Sequence, residues 1–155
     1  RMPTLPELLD QVNARVPLVI ELKSHWDGSL ALARRTAEIV ADYDGPLALM
    51  SFDPDLVAAL AELAPKVARG IVAGRQSVVD ERLALARRLA LRHLSHVDRS
   101  RPHFLSYDVH GLPYGPSRAF RQAGLPVICW TVGDAATASR ARRYADQITF
   151  EGFLP

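Results

Sequence analysis

PLVIELK, residues 17–23, has the pattern of a buried strand that ends in two opposite charges. Because side chains alternate along a strand, the apolar side chains at 18, 20 and 22 share one face, and Glu21 and Lys23 share the other. The first face is predicted to be core. The second brings a carboxylate and an ammonium to the C-terminal end of the strand, where parallel α/β folds bind their ligands. The alternative is a strand that frays early and leaves both charges in water.

The composition is that of one ordinary globular domain, residues 1–155, with 48% hydrophobic and 23% charged residues. The formal net charge is only +2, which does not favour a nucleic-acid partner. No apolar run approaches the roughly 18 residues that a membrane span needs. The lone Cys129 lies in an apolar run, so it is predicted to be a small buried residue and not part of a disulfide.

Strand and helix patterns alternate along the whole chain. The predicted strands are 17–23, 47–52, 67–72, 104–109, 126–132 and 147–150. The predicted helices are 4–13, 29–43, 54–63, 78–94, 117–122 and 134–144, with Thr4, Asp53 and Asp134 as N-caps. Six strands alternating with six helices predict a parallel sheet, either part of a (β/α) barrel or a doubly wound sheet. No glycine-rich phosphate loop follows any strand, which weakens the nucleotide-binding alternative.

A basic stretch covers residues 82–101 and is interleaved with leucines. It is predicted to be an amphipathic helix with a solvated face, in preference to a nucleic-acid surface. Within it, His93 and His96 have a spacing that could bind zinc. Without nearby cysteine or carboxylate ligands, however, they are expected to be solvated.

If the strands are parallel, their C-terminal ends gather polar and aromatic side chains at one rim: Glu21, Lys23, Ser51, Phe52, Tyr107, Asp108, Trp130 and Thr131. A carboxylate there could hold a divalent cation, a lysine could neutralise a phosphate, and an aromatic ring could wall a pocket. The alternatives are a simple ion pair, loop caps and core aromatics. His25 and Trp26 follow the first strand directly, so the loop that carries them is a candidate for substrate contact.

Four motifs lie in an order and spacing that resemble one enzyme family. They are TLPELL at 4–9, LVIELK at 18–23, MSFDPDL at 50–56 and WTV at 130–132. Together they look like the successive motifs of glycerophosphodiester phosphodiesterases. The resemblance implies a TIM barrel that hydrolyses glycerophosphodiesters to glycerol 3-phosphate and an alcohol, with a divalent metal such as Mg or Ca.

The resemblance also implies roles for three residues. Glu21 matches the metal-binding glutamate of the family's third strand, and Lys23 matches the adjacent lysine near the phosphate. Trp130 matches the aromatic residue that lines the pocket in the seventh strand. The motif of Ser51 and Phe52 matches the fourth strand, without an implied catalytic role.

The departures from the family pattern concern the catalytic groups. The family's His-Arg-Gly, Glu-x-Asp and following His-Asp motifs do not occur in this sequence, and Phe150 stands where the family shows an aspartate. The six strands therefore correspond to strands three to eight, with the first two βα units missing. The 155-residue chain is expected to be inactive and to bind metal weakly or not at all.

An open barrel would also expose two sheet edges. These edges are expected to be covered by a further segment or by a second copy of the chain in a homodimer. A non-enzymatic binding or assembly module built on a degenerate barrel is the alternative function. A third possibility is an unrelated barrel or open-sheet enzyme whose motif matches are coincidental.

Overall fold

Six parallel strands form one sheet in which the strand order follows the chain order. The computed structural model describes residues 1–74 and 83–155. Its strands are β1 (Leu18–Glu21), β2 (Leu47–Ser51), β3 (Ala68–Ala73), β4 (Phe104–Asp108), β5 (Val127–Val132) and β6 (Gln147–Phe150). The sheet curls into a half-barrel. This confirms the predicted partial barrel, because a doubly wound sheet would reverse its strand order at a switch point.

Seven α-helices lie among the described residues, one more than predicted. They are α1 (Leu5–Val12), α2 (Ala31–Val40), α3 (Pro54–Leu63), α4 (Leu85–His93), α5 (Val97–Ser100), α6 (Gly115–Gln122) and α7 (Ala135–Ala141). Within this part of the chain, no helix is long and apolar enough to cross a lipid bilayer.

Side-chain contacts at the helix starts confirm the predicted caps. The Thr4 hydroxyl accepts from the backbone of Glu7, and the Glu7 carboxylate accepts from the backbone N–H of Thr4 at 2.7 Å. Asp53 and Asp134 cap α3 and α7 in the same way, through their carboxylates. These contacts satisfy backbone donors that the first helical turn leaves without partners.

The predicted helix over residues 78–94 is only partly observed. Residues 75–82 lie outside the described part of the chain, and α4 begins at Leu85. It ends at His93 because Leu94 adopts a left-handed conformation with φ of 55°. The chain then turns and starts α5, a short helix that the leucine spacing does not predict.

The expectation of a solvated basic face on this stretch holds for Arg99 and Arg101, whose side chains are 59% and 55% exposed, but not for Arg87, whose side chain is 35% exposed. Helices α3 and α5 pack together, which brings the carboxylates of α3 opposite the arginines. The resulting ion pairs are Arg87 with Asp53 and Asp55, Arg99 with Asp55, and Arg101 with Glu62.

The outer face of the sheet packs against helices and carries the core. Ser51, Ile71, Leu105 and Val127 lie side by side in the strand register, and all four are fully buried. Cys129 lies on the same face, and burial raises the pKa of its thiol to about 11. As predicted, it is a buried apolar residue, and it is held in the thiol form at neutral pH.

On the inner face of the sheet, the ring of Phe104 lies over Gly70. Gly70 and Phe104 are register partners on β3 and β4, and a Cβ on Gly70 would lie 2.2 Å from the Phe104 ring. The absence of a side chain at position 70 therefore makes room for the ring. Phe104 is buried although this is the concave side of an open sheet.

Strands β1 and β6 form the two edges of the sheet. On β1, Val19 is 52% exposed, and on β6, Phe150 is 44% exposed. The face of β1 that was predicted to be core is buried at Leu22 but only half-buried at Leu18 and Ile20. An edge strand has a neighbour on one side only, which explains the incomplete burial.

A candidate ligand site at the carboxyl ends of the strands

The two charges of the opening motif lie together at the end of β1. The Lys23 ammonium donates to Glu21 Oε1 at 2.6 Å. The Glu21 side chain is largely buried, with 21% exposed, whereas the Lys23 side chain is 77% exposed. The lysine therefore still presents donors to solvent, because an ammonium has three N–H groups and Glu21 uses one.

Two aromatic rings continue the site away from Lys23. Its Nζ lies 5.9 Å from the centroid of the Phe52 ring, which follows β2. Phe52 in turn packs edge to face on Trp130 of β5, with 5.7 Å between ring centroids. Four rim residues separated by up to 109 positions thus form one connected group: Glu21, Lys23, Phe52 and Trp130. Below, this group is called the rim cluster.

Trp130 brings an unused donor to the rim cluster. Its Nε1 is buried and has no hydrogen-bond partner among the described residues. Buried polar atoms are normally paired, so a ligand oxygen would satisfy this one. Its register partner, Asp108, directs one carboxylate oxygen to the backbone N–H of His110 at 2.9 Å. That contact caps a short 3-10 turn, Val109–Gly111.

Ser51 has a structural role at the rim. Its hydroxyl is fully buried, donates to the carbonyl of Leu22 at 2.8 Å and accepts from the backbone of Asp53 at 3.1 Å. It therefore ties the ends of β1 and β2 together. This fixes the distance between Lys23 and Phe52.

Tyr107 does not line the inner rim, although it is predicted to lie among the polar and aromatic residues at the strand ends. It lies on the outer face in register with Cys129, is fully buried in the core cluster, and stacks on Tyr114. The period of two along β4 explains the difference, because Asp108 and Tyr107 must point to opposite faces. Thr131 is exposed.

The loop that follows Lys23 is ordered by hydrogen bonds. The Ser24 hydroxyl donates to Asp53 Oδ2 at 2.6 Å and accepts from the backbone N–H of Trp26 at 2.9 Å. His25 is exposed, and the ring of Trp26 lies 5.3 Å from the guanidinium carbon of Arg87. Arg87 is not among the predicted site residues. Its place at the rim could have been predicted, because the first turn of a helix that follows a parallel strand lies at the C-terminal end of the strands.

The rim does not complete a metal site by itself. Glu21 is the rim cluster's one carboxylate, and the Lys23 ammonium already occupies one of its oxygens. Among residues 1–74 and 83–155, no three His, Cys, Asp or Glu side chains lie where they could share an ion. Because Mg and Ca require several oxygen ligands, the described residues could supply only part of such a site.

His96, expected to be solvated, is instead buried at the start of α5. Its Nδ1 lies 3.2 Å from the hydroxyl of Ser100, and its Nε2 has no partner among the described residues. Burial, followed by the charge of Arg99, lowers the pKa of His96 to about 4, against the opposing effect of Asp55 and Asp53. It is therefore neutral at pH 7.

We expect this histidine to make stability fall with acid. The unfolded chain takes up a proton near pH 6.5, whereas the folded chain takes it up near pH 4. Stability is therefore complete above about pH 6.5 and is lost as the pH falls toward 4, by on the order of 3 kcal/mol. Urea midpoints measured across this range should show it. His96→Gln should flatten the slope, and His93→Gln, an exposed neighbour, should not. Equal slopes in all three chains would contradict the assignment.

A groove of about 740 Å³ lies along the outside of α6. Residues from α6 and from the turn before β6 line it, among them Tyr114, Arg118, Arg121, Arg143 and Tyr144. It shares no residue with the rim cluster.

No family model and no curated protein matches this sequence. Solved structures do match. A phosphodiesterase from Oleispira antarctica, solved with the product sn-glycerol-3-phosphate, is 18% identical with a TM-score of 0.75, over 96% of this chain and 57% of its own. Glycerophosphodiester phosphodiesterases from Parabacteroides distasonis and Thermotoga maritima are 21% and 22% identical, with TM-scores of 0.73 and 0.67, over 96% of this chain and 59% of theirs. The chain thus has their barrel fold and spans a little over half their length.

Proposed function

We propose that this chain is the substrate-binding part of a phosphodiester hydrolase that releases sn-glycerol 3-phosphate and an alcohol from glycerophosphodiesters. The observation that carries the proposal is the rim cluster, in which an ammonium lies between a carboxylate and two packed aromatic rings. The likeness in fold to phosphodiesterases, one of them solved with this product, supports it.

Each member of the rim cluster has a distinct role in this proposal. The free N–H groups of Lys23 bind a phosphoryl oxygen, since an ammonium acts as a compact point charge toward phosphate. Phe52 and Trp130 form an apolar wall for the glycerol carbons. The buried indole N–H of Trp130 donates to a ligand oxygen. His25, exposed in the loop after β1, contacts the substrate from the side.

Glu21 is proposed as one ligand of a divalent metal, Mg or Ca, in the complete enzyme. When bound, such a metal would supply positive charge that stabilises the phosphoryl oxygens. Its remaining ligands are proposed to come from outside the described residues. In the 155-residue chain, Lys23 competes with any metal for the same carboxylate.

We expect the 155-residue chain to be catalytically inactive. Hydrolysis forms a bond from water oxygen to phosphorus and breaks the P–O bond to the alcohol, steps that need a positioned acid and base. The sequence lacks the His-Arg-Gly and Glu-x-Asp motifs that the resemblance assigns to this work. With Mg or Ca present, choline release from glycerophosphocholine should not exceed the buffer rate. A rate that rises with protein concentration and is lost in Glu21→Gln would contradict this.

Calorimetric titration with sn-glycerol 3-phosphate tests the binding role. We expect saturable binding with a Kd on the order of 1 mM, weaker binding of inorganic phosphate, and none of glycerol. If the 155-residue chain does not bind sn-glycerol 3-phosphate, the proposal is wrong, and a non-enzymatic binding or assembly module becomes the better account. Dimerisation through the edges β1 and β6 stays a prediction.

A further inference from the structure

Arg87 connects two loops at the rim. It lies in the first turn of α4, and its guanidinium carbon is 5.3 Å from the centroid of the Trp26 ring. Its Nη2 donates to Asp53 Oδ1 at 3.2 Å and to Asp55 Oδ2 at 2.7 Å. One side chain therefore contacts both the loop after β1 and the start of α3.

These contacts form a closed ring. Asp53, which holds Arg87 with one oxygen, accepts from the Ser24 hydroxyl with the other at 2.6 Å. The same hydroxyl accepts from the backbone N–H of Trp26, whose ring packs on Arg87. Asp53 is almost completely buried. The ring thus joins a buried carboxylate to a half-buried indole through two short polar links.

Trp26 adopts a backbone conformation that needs such support. Its φ is 60°, in the left-handed region that a bulky side chain rarely occupies. Such residues persist where their surroundings determine the conformation. The cation–π contact of Arg87 with the indole and the Ser24 contact are the described interactions that can do so.

We propose that Arg87 is a positioning residue that sets the loop after β1, residues 24–28, beside the rim cluster. The loop carries His25 two positions after Lys23, so Arg87 acts on the ligand site through the loop and does not itself contact the ligand. Its relevance to ligand binding rests on the proposed function. The contact that it makes with the loop does not.

The test uses Trp26 as its own reporter. The chain has two tryptophans, so Trp130→Phe leaves Trp26 as the single source of tryptophan emission. In that background, Arg87→Leu should shift the emission to the red and raise the acrylamide quenching constant about twofold. Arg88→Leu is the matched control, because Arg88 is the next residue on α4 and makes none of these contacts, and it should change neither. No ligand is added, so failure here is distinct from failure of the proposed function.

If circular dichroism shows that Arg87→Leu is unfolded, a second variant tests the proposal. Arg87→Lys keeps a cation that can pair with Asp53 and Asp55 but loses the planar group that stacks on Trp26. We expect the quenching constant to rise while the urea midpoint stays near that of the parent. Unchanged emission and quenching in folded Arg87→Leu, or in Arg87→Lys where only that variant folds, would overturn the proposal.

Discussion

Replacing Asp53 by alanine is expected to lower the free energy of unfolding by about 3 kcal/mol. Two losses add. Removing the N-cap of α3 costs about 1 kcal/mol, since the backbone N–H of Asp55 loses its acceptor. Removing the buried carboxylate also leaves the Ser24 hydroxyl without its acceptor and Arg87 with Asp55 as its remaining partner, which costs about 2 kcal/mol more. Urea unfolding at pH 7, followed by far-ultraviolet circular dichroism, measures the change.

Asp134→Ala provides the matched control for this prediction. Asp134 also caps a helix, α7, but its side chain is exposed and holds no other element of the fold. The expected cost is therefore the capping loss alone, about 1 kcal/mol. Asp53→Asn should fall between the two alanine variants, because an amide still caps but pairs weakly with Arg87. Equal losses in Asp53→Ala and Asp134→Ala would show that the loop contacts of Asp53 do not contribute.

The second large effect concerns ligand binding. Lys23→Gln is expected to weaken binding of sn-glycerol 3-phosphate at least about tenfold, the loss expected for one charge-assisted hydrogen bond. Lys66→Gln should leave affinity unchanged. The chain has only these two lysines, and they lie at opposite ends of the strands, so the pair separates local contact from net charge.

Glu21→Gln sharpens the same test. In the parent chain, the Glu21 carboxylate holds the ammonium and repels an incoming phosphate. Its neutralisation should therefore strengthen binding a few-fold in the absence of metal. Calorimetry on the four chains measures these differences. Equal weakening by Lys23→Gln and Lys66→Gln would contradict a specific contact at the rim.

The sequence is enough to predict the order of the strands and which residues lie at the C-terminal ends of β1, β2 and β5. Period-two alternation places Glu21 and Lys23 on one face, and parallel strand ends must meet at one rim. The caps at Thr4, Asp53 and Asp134 follow from local chemistry and are confirmed. These features depend on neighbours within a few residues, which a sequence pattern can represent.

Features set by contacts between distant segments were not predictable in the same way. His96 was expected to be solvated because no cysteine or carboxylate ligands were identified near it. Nothing in its sequence neighbourhood indicates that α5 turns back onto α3. The pairing of Arg87 with Asp53 joins residues 34 positions apart. Tyr107 was placed at the rim by its position at a strand end, although alternation along β4 assigns it to the outer face. The sequence pattern of β4 by itself therefore assigns Tyr107 to the outer face.

Emission from Trp130 tests most directly whether the rim cluster is the ligand site. In a Trp26→Phe chain, Trp130 is the single tryptophan, and its ring packs on Phe52 beside Lys23. We predict a saturable change in its emission on titration with sn-glycerol 3-phosphate, with the same Kd as calorimetry and with a midpoint at least about tenfold higher in Lys23→Gln. Heat of binding without any change in Trp130 emission would place the ligand elsewhere and contradict the account.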